Sequence, residues 1–295
     1  MRFGLCCIFV EQPIRFRRAT ARHLGRMPRP RQLEHLGALC LHNARSLRHA
    51  LEYCSRVGIG AFRVNSQILP LKTHPRVGYR IEDLPDHRDI VATFRGCGRF
   101  ARAHRLRTSF HPDQFILLSS PDAEVIDRSI ADLDYQAEVA EWIGADVINI
   151  HGGGAYGDKP TALNRLKAQF KRLPARVRRR LCLENDDRVF TPADLLPVCR
   201  DLRIPLVYDV HHHRCLPDGF GVDETTAAAL ATWNREPLFH VSSPRDAGRT
   251  PREHADYIRP SDIPTSWLEL DITVDIEAKA KEMAVIGLMR DLGRM

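Results

Sequence analysis

DVINIHGGG (Asp146–Gly154) is a short apolar run, rich in β-branched residues, that ends in an imidazole and breaks into glycine. A run of this length bounded by turn residues reads as a buried strand. Just before it, Pro121–Ile143 sets Ile126, Ile130, Leu133, Ala137, Ala140 and Ile143 at helical spacing and closes on Gly144. An amphipathic helix feeding a buried strand that ends in a polar residue is one unit of a parallel α/β sheet.

The unit recurs in both directions. Candidate strands are Arg2–Phe9, Ala61–Ser66, Arg107–His111, Asp146–His151, Leu181–Glu184, Leu206–Asp209, Leu238–Val241 and Thr273–Glu277. Between them lie helical patterns at Arg88–His104, Ala162–Arg172, Ala193–Leu202 and Asp223–Trp233. Another runs from Asn43, which reads as an N-cap, through Leu47, Leu51, Cys54 and Val57 to Gly58. Eight alternating units imply right-handed crossovers closing into a single (β/α)8 TIM barrel spanning 1–295. The length of 295 residues suits it, since such barrels take about 250. An open doubly wound sheet is the alternative, but no GxGxxG follows Phe9.

Two segments fall outside the repeat. Pro13–Arg31 holds seven arginines and no acid, and reads as a basic loop (13–31) after the first strand, suited to phosphates. The end, about 280–295, reads as a tail. The arginine run Arg176–Arg180 precedes the fifth strand, so it belongs at the far end of the barrel, as solvated surface.

Composition narrows the class. The net charge is +7, which favours polyanionic partners. The eight cysteines contain no CxxC pair, which excludes a zinc finger or thioredoxin motif and suits a reduced, cytoplasmic protein. No apolar run approaches the ~18 residues of a membrane span. Phe3–Val10 is followed by arginines, not by a cleavage site, and reads as a strand rather than a signal peptide.

Ligand-type residues recur at the strand ends: His111, His151, Glu184, Asp209 with His212 beyond it, His240 and Glu277, with His254 in the loop after the seventh strand. Strand C-termini share one mouth of a barrel, so these side chains converge. Clustered carboxylates need cations to neutralise them. Imidazole and carboxylate without thiolate suit Mn, Zn or Fe, and this many ligands suits two or three ions. Such centres activate water and clamp a phosphoryl oxygen. His211, His212 and His213 cannot all aim inward, and His212 is taken as the inward one. Gly152–Gly154 would leave room beside the ions for a bulky substrate.

At these residues the chain resembles the UV damage endonuclease (UVDE) family of xylose-isomerase-like TIM barrels. The matching stretches are FHPDQF (Phe110–Phe115), INIHGGGAYGDK (Ile148–Lys159), LENDD (Leu183–Asp187), YDVHHH (Tyr208–His213), FHVSSPRD (Phe239–Asp246), EHADYI (Glu253–Ile258) and DIEAKAKE (Asp275–Glu282), with RVNSQILPLKTHP (Arg63–Pro75) matching more loosely. The resemblance implies a DNA repair nuclease that cuts 5′ to UV photoproducts and other lesions and leaves a 3′-hydroxyl. It implies divalent ions, typically two or three Mn2+ with Zn2+ or Mg2+ as substitutes, on His111, His151, Glu184, Asp209, His212, His240, His254 and Glu277. Glu184, Glu277, His240 and Lys159 are then the candidate catalytic groups. Gln114 and Phe115 would probe the duplex at the lesion, and Arg15, Arg17, Arg18, Tyr156 and Ser66 would contact damaged double-stranded DNA. The protein is expected to act as a monomer without a membrane. Where the family often carries Lys two residues before the seventh-strand histidine, this chain has Leu238; its probing aromatic is Phe rather than Tyr, and Leu5, Cys6 and Cys7 replace a usual Tyr and Asn. The alternatives are a metal-dependent sugar isomerase or epimerase on the same barrel, which gives Gln114–Phe115 no role, and a DNA-binding protein without chemistry.

Overall fold

Each apolar run forms a strand, because aliphatic side chains pack on both faces of a parallel sheet covered by helices. The computed structural model describes residues 1–245 and 250–294; Asp246, which ends the FHVSSPRD stretch, lies outside them. Among the described residues the strands are β1 (Arg2–Cys6), β2 (Ala61–Val64), β3 (Arg107–Phe110), β4 (Val147–His151), β5 (Leu181–Glu184), β6 (Leu206–Val207), β7 (Leu238–Val241) and β8 (Thr273–Ile276). They form one eight-stranded parallel sheet in the order β6-β5-β4-β3-β2-β1-β8-β7. The free edges, β6 and β7, meet through a bridge between Asp209 and His240, where the His240 N–H donates to the Tyr208 carbonyl at 3.0 Å. The barrel therefore closes at two of the ring residues.

The helices are α1 (Ala21–Leu24), α2 (Arg29–Val57), α3 (His87–Ala103), α4 (Ala123–Ile143), α5 (Lys159–Phe170), α6 (Ala175–Arg178), α7 (Pro192–Leu202), α8 (Val210–Cys215), α9 (Val222–Leu230) and α10 (Glu282–Asp291). The main core lies between strands and helices, with Phe62, Phe94, Phe110, Phe239 and Trp267 buried. Val147, Cys182, Val207 and Leu238 form a separate apolar layer inside the barrel. Side chains alternate along a strand, so residues two further on face the same interior: Asn149 above Val147, Glu184 above Cys182, Asp209 above Val207, His240 above Leu238. An apolar floor thus carries a polar storey, and Leu238 belongs to the floor.

Several boundaries differ from the sequence reading. Asn43 caps nothing: α2 runs through it, and its buried amide bonds the backbone N–H (2.7 Å) and carbonyl (3.0 Å) of Arg17 and the carbonyl of Ile68 (3.0 Å). The basic segment 13–31 is correspondingly not one loop. It contains α1, and from Arg29 it is already α2, started by Pro30 in the first turn. Arg176–Arg180 does more than face solvent: Arg176 grips Asp134 of α4 through two nitrogens at 2.6 and 2.7 Å, and Arg180 donates to the Ala145 carbonyl at 2.9 Å. The stretch 280–295 read as a tail holds α10, whose Glu282 is fully buried and accepts backbone N–H groups of Val10, Glu11 and Gln12 at 2.8–3.1 Å. The cysteines are free, most of them in the core as small hydrophobes.

Candidate metal centre at the barrel mouth

Glu184, the last residue of β5, is fully buried, and imidazoles surround it. Its Oε2 lies 2.9 Å from His111 Nε2 and accepts from the Asn149 amide; its Oε1 lies 3.1 Å from His240 Nδ1 and 3.4 Å from His212 Nδ1. The His151 ring stands 5.1 Å from that of His111 and 5.7 Å from that of His212. Across the barrel, Glu277 sits 3.5 Å from His240 Nδ1 and 3.8 Å from His254 Nδ1. Asp209 is buried, accepts the His212 N–H on Oδ1 at 2.8 Å, and keeps Oδ2 without a hydrogen bond, 3.6 Å from His212 Nδ1. The eight predicted ring residues, six from the strand ends with His212 and His254 from just beyond them, thus meet at one rim.

The electrostatics follow from this packing. Burial would raise the Glu184 carboxyl, but the imidazoles of His240, His151 and His111 hold it well below the usual carboxylate range. Burial lowers His240, yet Glu184 outweighs it and carries the imidazole up to about 9. Burial dominates at His151, whose pKa falls. Carbonyl oxygens can only accept, so the contacts His111 Nδ1–Pro112 O (3.1 Å) and His212 Nδ1–Asn185 O (3.0 Å) put a proton on Nδ1 and make Nε2 the nitrogen of each ring left to the site, that of His111 facing Glu184. Three sets of ligand atoms converge closely: His111, Glu184 and His240; His151, Glu184 and His212; Asp209, His240 and Glu277, each within 4.8 Å. A buried carboxylate oxygen without a hydrogen bond, among imidazoles and further carboxylates, fits a divalent cation.

The other predicted residues divide. Gln114 and Phe115 lie exposed on the loop after β3, and Phe115 at 73% exposure belongs to no core. Below Phe115 a cavity of about 370 Å³ is lined by Ser66, Gln67, Leu71 and Tyr135; Tyr135 donates to the Ser66 carbonyl. Tyr156 is 47% exposed on the loop after β4, with the Arg165 guanidinium 5.5 Å from its ring centre. Arg17 and Arg18 are exposed, whereas the Arg15 guanidinium folds back on the Gln12 and Ile14 carbonyls. The Lys159 ammonium pairs with Asp194 of α7 at 2.8 Å rather than with a ring carboxylate. A Cβ on Gly152 would meet the Phe190 ring at 2.7 Å and one on Gly153 would meet Ser119 Oγ at 2.4 Å, so protein packs against both, while Gly153 also lines a cavity of about 590 Å³ with Gln114, His151 and His212. His213 points away from the ring, bonding Tyr208 Oη and Asp218 at 2.8 Å each.

Three polar residues of the site were missed in the sequence. Arg63 pairs with Glu277, Asn149 donates to Glu184, and Asp275 lies buried 3.7 Å from His240 Nε2. Asn149 and Asp275 lie two residues before His151 and Glu277, on the face those ring residues share, and Arg63 is the penultimate residue of β2. That periodicity was the available signal.

The whole of this geometry has known relatives. The chain matches, over residues 1–295, the family described as UV-endonuclease UvdE. It belongs to that family. A UV DNA damage endonuclease of Bacillus velezensis is 34% identical to this UvdE-family chain over 312 residues, covering 99% of the chain and 93% of that protein. One from Bacillus cereus is 35% identical over 245 residues, covering 79% and 75%. A solved structure of SacUVDE aligns with a TM-score of 0.88 at 26% identity over 100% of both chains. Endonuclease IV of Thermus thermophilus, at 16% identity and a TM-score of 0.63 over 99% of this chain and 98% of that one, shares the fold. So does D-psicose 3-epimerase of Clostridium cellulolyticum, at 13% and 0.58 over 99% and 91%.

Proposed function

We propose that this UvdE-family protein is a metal-dependent DNA repair endonuclease that nicks damaged duplex DNA on the 5′ side of UV photoproducts and other lesions. The observation that carries the reading is Glu184: a fully buried carboxylate contacted by three imidazoles, with two more carboxylates beside it, at a mouth beside the exposed Phe115. His111, His151, Glu184, Asp209, His212, His240, His254 and Glu277 would hold two or three divalent ions, with manganese our choice. Bound there, such ions polarise a phosphoryl oxygen and make water acidic enough to act as a nucleophile near neutral pH.

The chain's own residues supply the rest. The Pro112 and Asn185 carbonyls accept from Nδ1 of His111 and His212 and orient both rings, so Nε2 of each is the nitrogen that would hold an ion. Asn149 holds one Glu184 oxygen and steadies the carboxylate on the rim. Gln114 and Phe115 stand far enough out to enter a duplex, and wedging a base step open costs least where a lesion has already weakened stacking. Arg17 and Arg18 offer charge to the strand backbone.

Protein stripped with chelator and reloaded with Mn2+ should nick UV-irradiated plasmid and leave intact plasmid whole. Glu184→Gln should lose nicking by at least about 100-fold, at the upper end of losses seen for groups supporting a metal site. Wild-type protein that nicks irradiated DNA under no divalent cation would overturn the reading.

A further inference from the structure

Beside the ring, on the β8 side, lies a cavity of about 370 Å³ that shares His254 and Glu277 with the centre. Four cations line it, Arg63, Arg252, Lys279 and Lys281, against two carboxylates, Glu253 and Glu277. Two of the cations are engaged: Arg63 with Glu277, and Arg252 with Asp187 at 3.3 Å. Lys279 and Lys281 make no ion pair among the described residues, although Lys281 is half-buried.

The wall that carries these lysines is built, not loose. The Lys279 and Ala280 N–H groups donate to the carbonyls of Ala255 and Asp256 at 3.1 and 3.0 Å, tying the loop after β8 to the one holding His254. Lys281 has φ 48° and ψ −121°, a backbone conformation that side-chain-bearing residues avoid. Its neighbour Glu282 is locked by the backbone of Val10 to Gln12. Glycine would relax this turn, yet the chain places a long cationic side chain there.

We propose that this cavity is a phosphate subsite, in which Lys279 and Lys281 seat a backbone phosphate of the bound DNA strand adjoining the one that reacts at the ring. The inference rests on the nuclease reading above. The net positive wall suits an anion, and the shared His254 and Glu277 make the two sites immediate neighbours.

The test uses Mn2+-loaded full-length protein and a duplex carrying one defined lesion. Lys279→Met and Lys281→Gly are compared with wild type, the glycine being chosen to relieve the backbone while removing the charge. The expected result is that each variant binds the duplex on the order of tenfold more weakly and lowers the slope of log affinity against log salt by about one. Lys281→Gly should melt no lower than wild type, so lost affinity is not lost fold. A single neutral methylphosphonate, scanned along the nicked strand, should weaken wild type at one position near the cut and leave protein carrying both Lys279→Met and Lys281→Gly indifferent there. Variants that bind with wild-type affinity and slope while wild type nicks the lesion overturn the subsite alone. Wild type that neither nicks nor binds the duplex overturns the nuclease reading and the subsite with it.

Discussion

Gly4 on β1 has no room for a methyl group, because a Cβ there would stand 2.0 Å from Asp275 Oδ1. The Asp275 side chain occupies that space with neither oxygen hydrogen-bonded, 3.7 Å from a His240 Nε2 that likewise makes no hydrogen bond. Burial pushes its carboxyl upward. Gly4→Ala should therefore cost about 1–3 kcal/mol by overpacking, measured by urea unfolding. In an Asp275→Ala background the cost should largely vanish, since the methyl then fills vacated space. Equal costs in the two backgrounds would show that the clash is relieved elsewhere. Asp275 is absent from the ring read in the sequence: its spacing of two from Glu277 is the signal that would put it on the same face, but no local pattern announces what it would face.

At the scale of elements, α2 and α8 show how the mouth is fastened. Asn43 reaches from the middle of α2 to both backbone groups of Arg17, and Ser46 donates to the Arg15 carbonyl at 2.9 Å. Asn43→Ala strands these groups and should cost about 1–3 kcal/mol of stability. Because it frees the Arg17–Arg18 segment, DNA affinity should drop as well, which a filter-binding titration would detect; unchanged affinity would remove this segment from the DNA contact. The short α8 is held by Tyr208, His213 and Asp218. Burial would raise Asp218, but the Ala193 N–H, His213 and the Phe220 N–H together bring it below its ordinary value. A depressed carboxyl stabilises the fold above its unfolded pKa of about 3.9, and that contribution is lost as pH falls through the lower folded value. Thermal melts of wild type and Asp218→Asn should thus differ at pH 6 and converge toward pH 3. A gap that persists in acid would assign the effect to packing. Asn43 was misread because an asparagine before an apolar helical pattern looks locally like a cap; only the distant backbone of Arg17 and Ile68 makes it an interior anchor.

Across the whole molecule, cation binding and barrel stability are linked. The ring draws on β3 to β8, including the Asp209–His240 bridge that closes the sheet. A cation at 100 times its dissociation constant would add about 2.7 kcal/mol to the folded state, and at about 2–4 °C per kcal/mol in a protein of comparable size chelation should lower the Tm by several degrees. Calorimetry with and without chelator checks this, and Glu184→Gln should flatten the difference. A wild-type Tm indifferent to chelator and Mn2+ would mean that the centre does not hold the metal.

Local chemistry set the frame without help. Apolar runs such as Leu181–Glu184 and Leu238–Val241 form strands with the boundaries their residues dictate, and period-two alternation points the ring members to one side. A strand knows its two faces, however, and not its partners across a closed barrel. The grip of Arg63 on Glu277, the filling of the glycine turn by Phe190 and Ser119, and the basic cavity beside His254 all join residues far apart in the chain. Closure of β6 on β7 sets those distances, and no short-range periodicity encodes it.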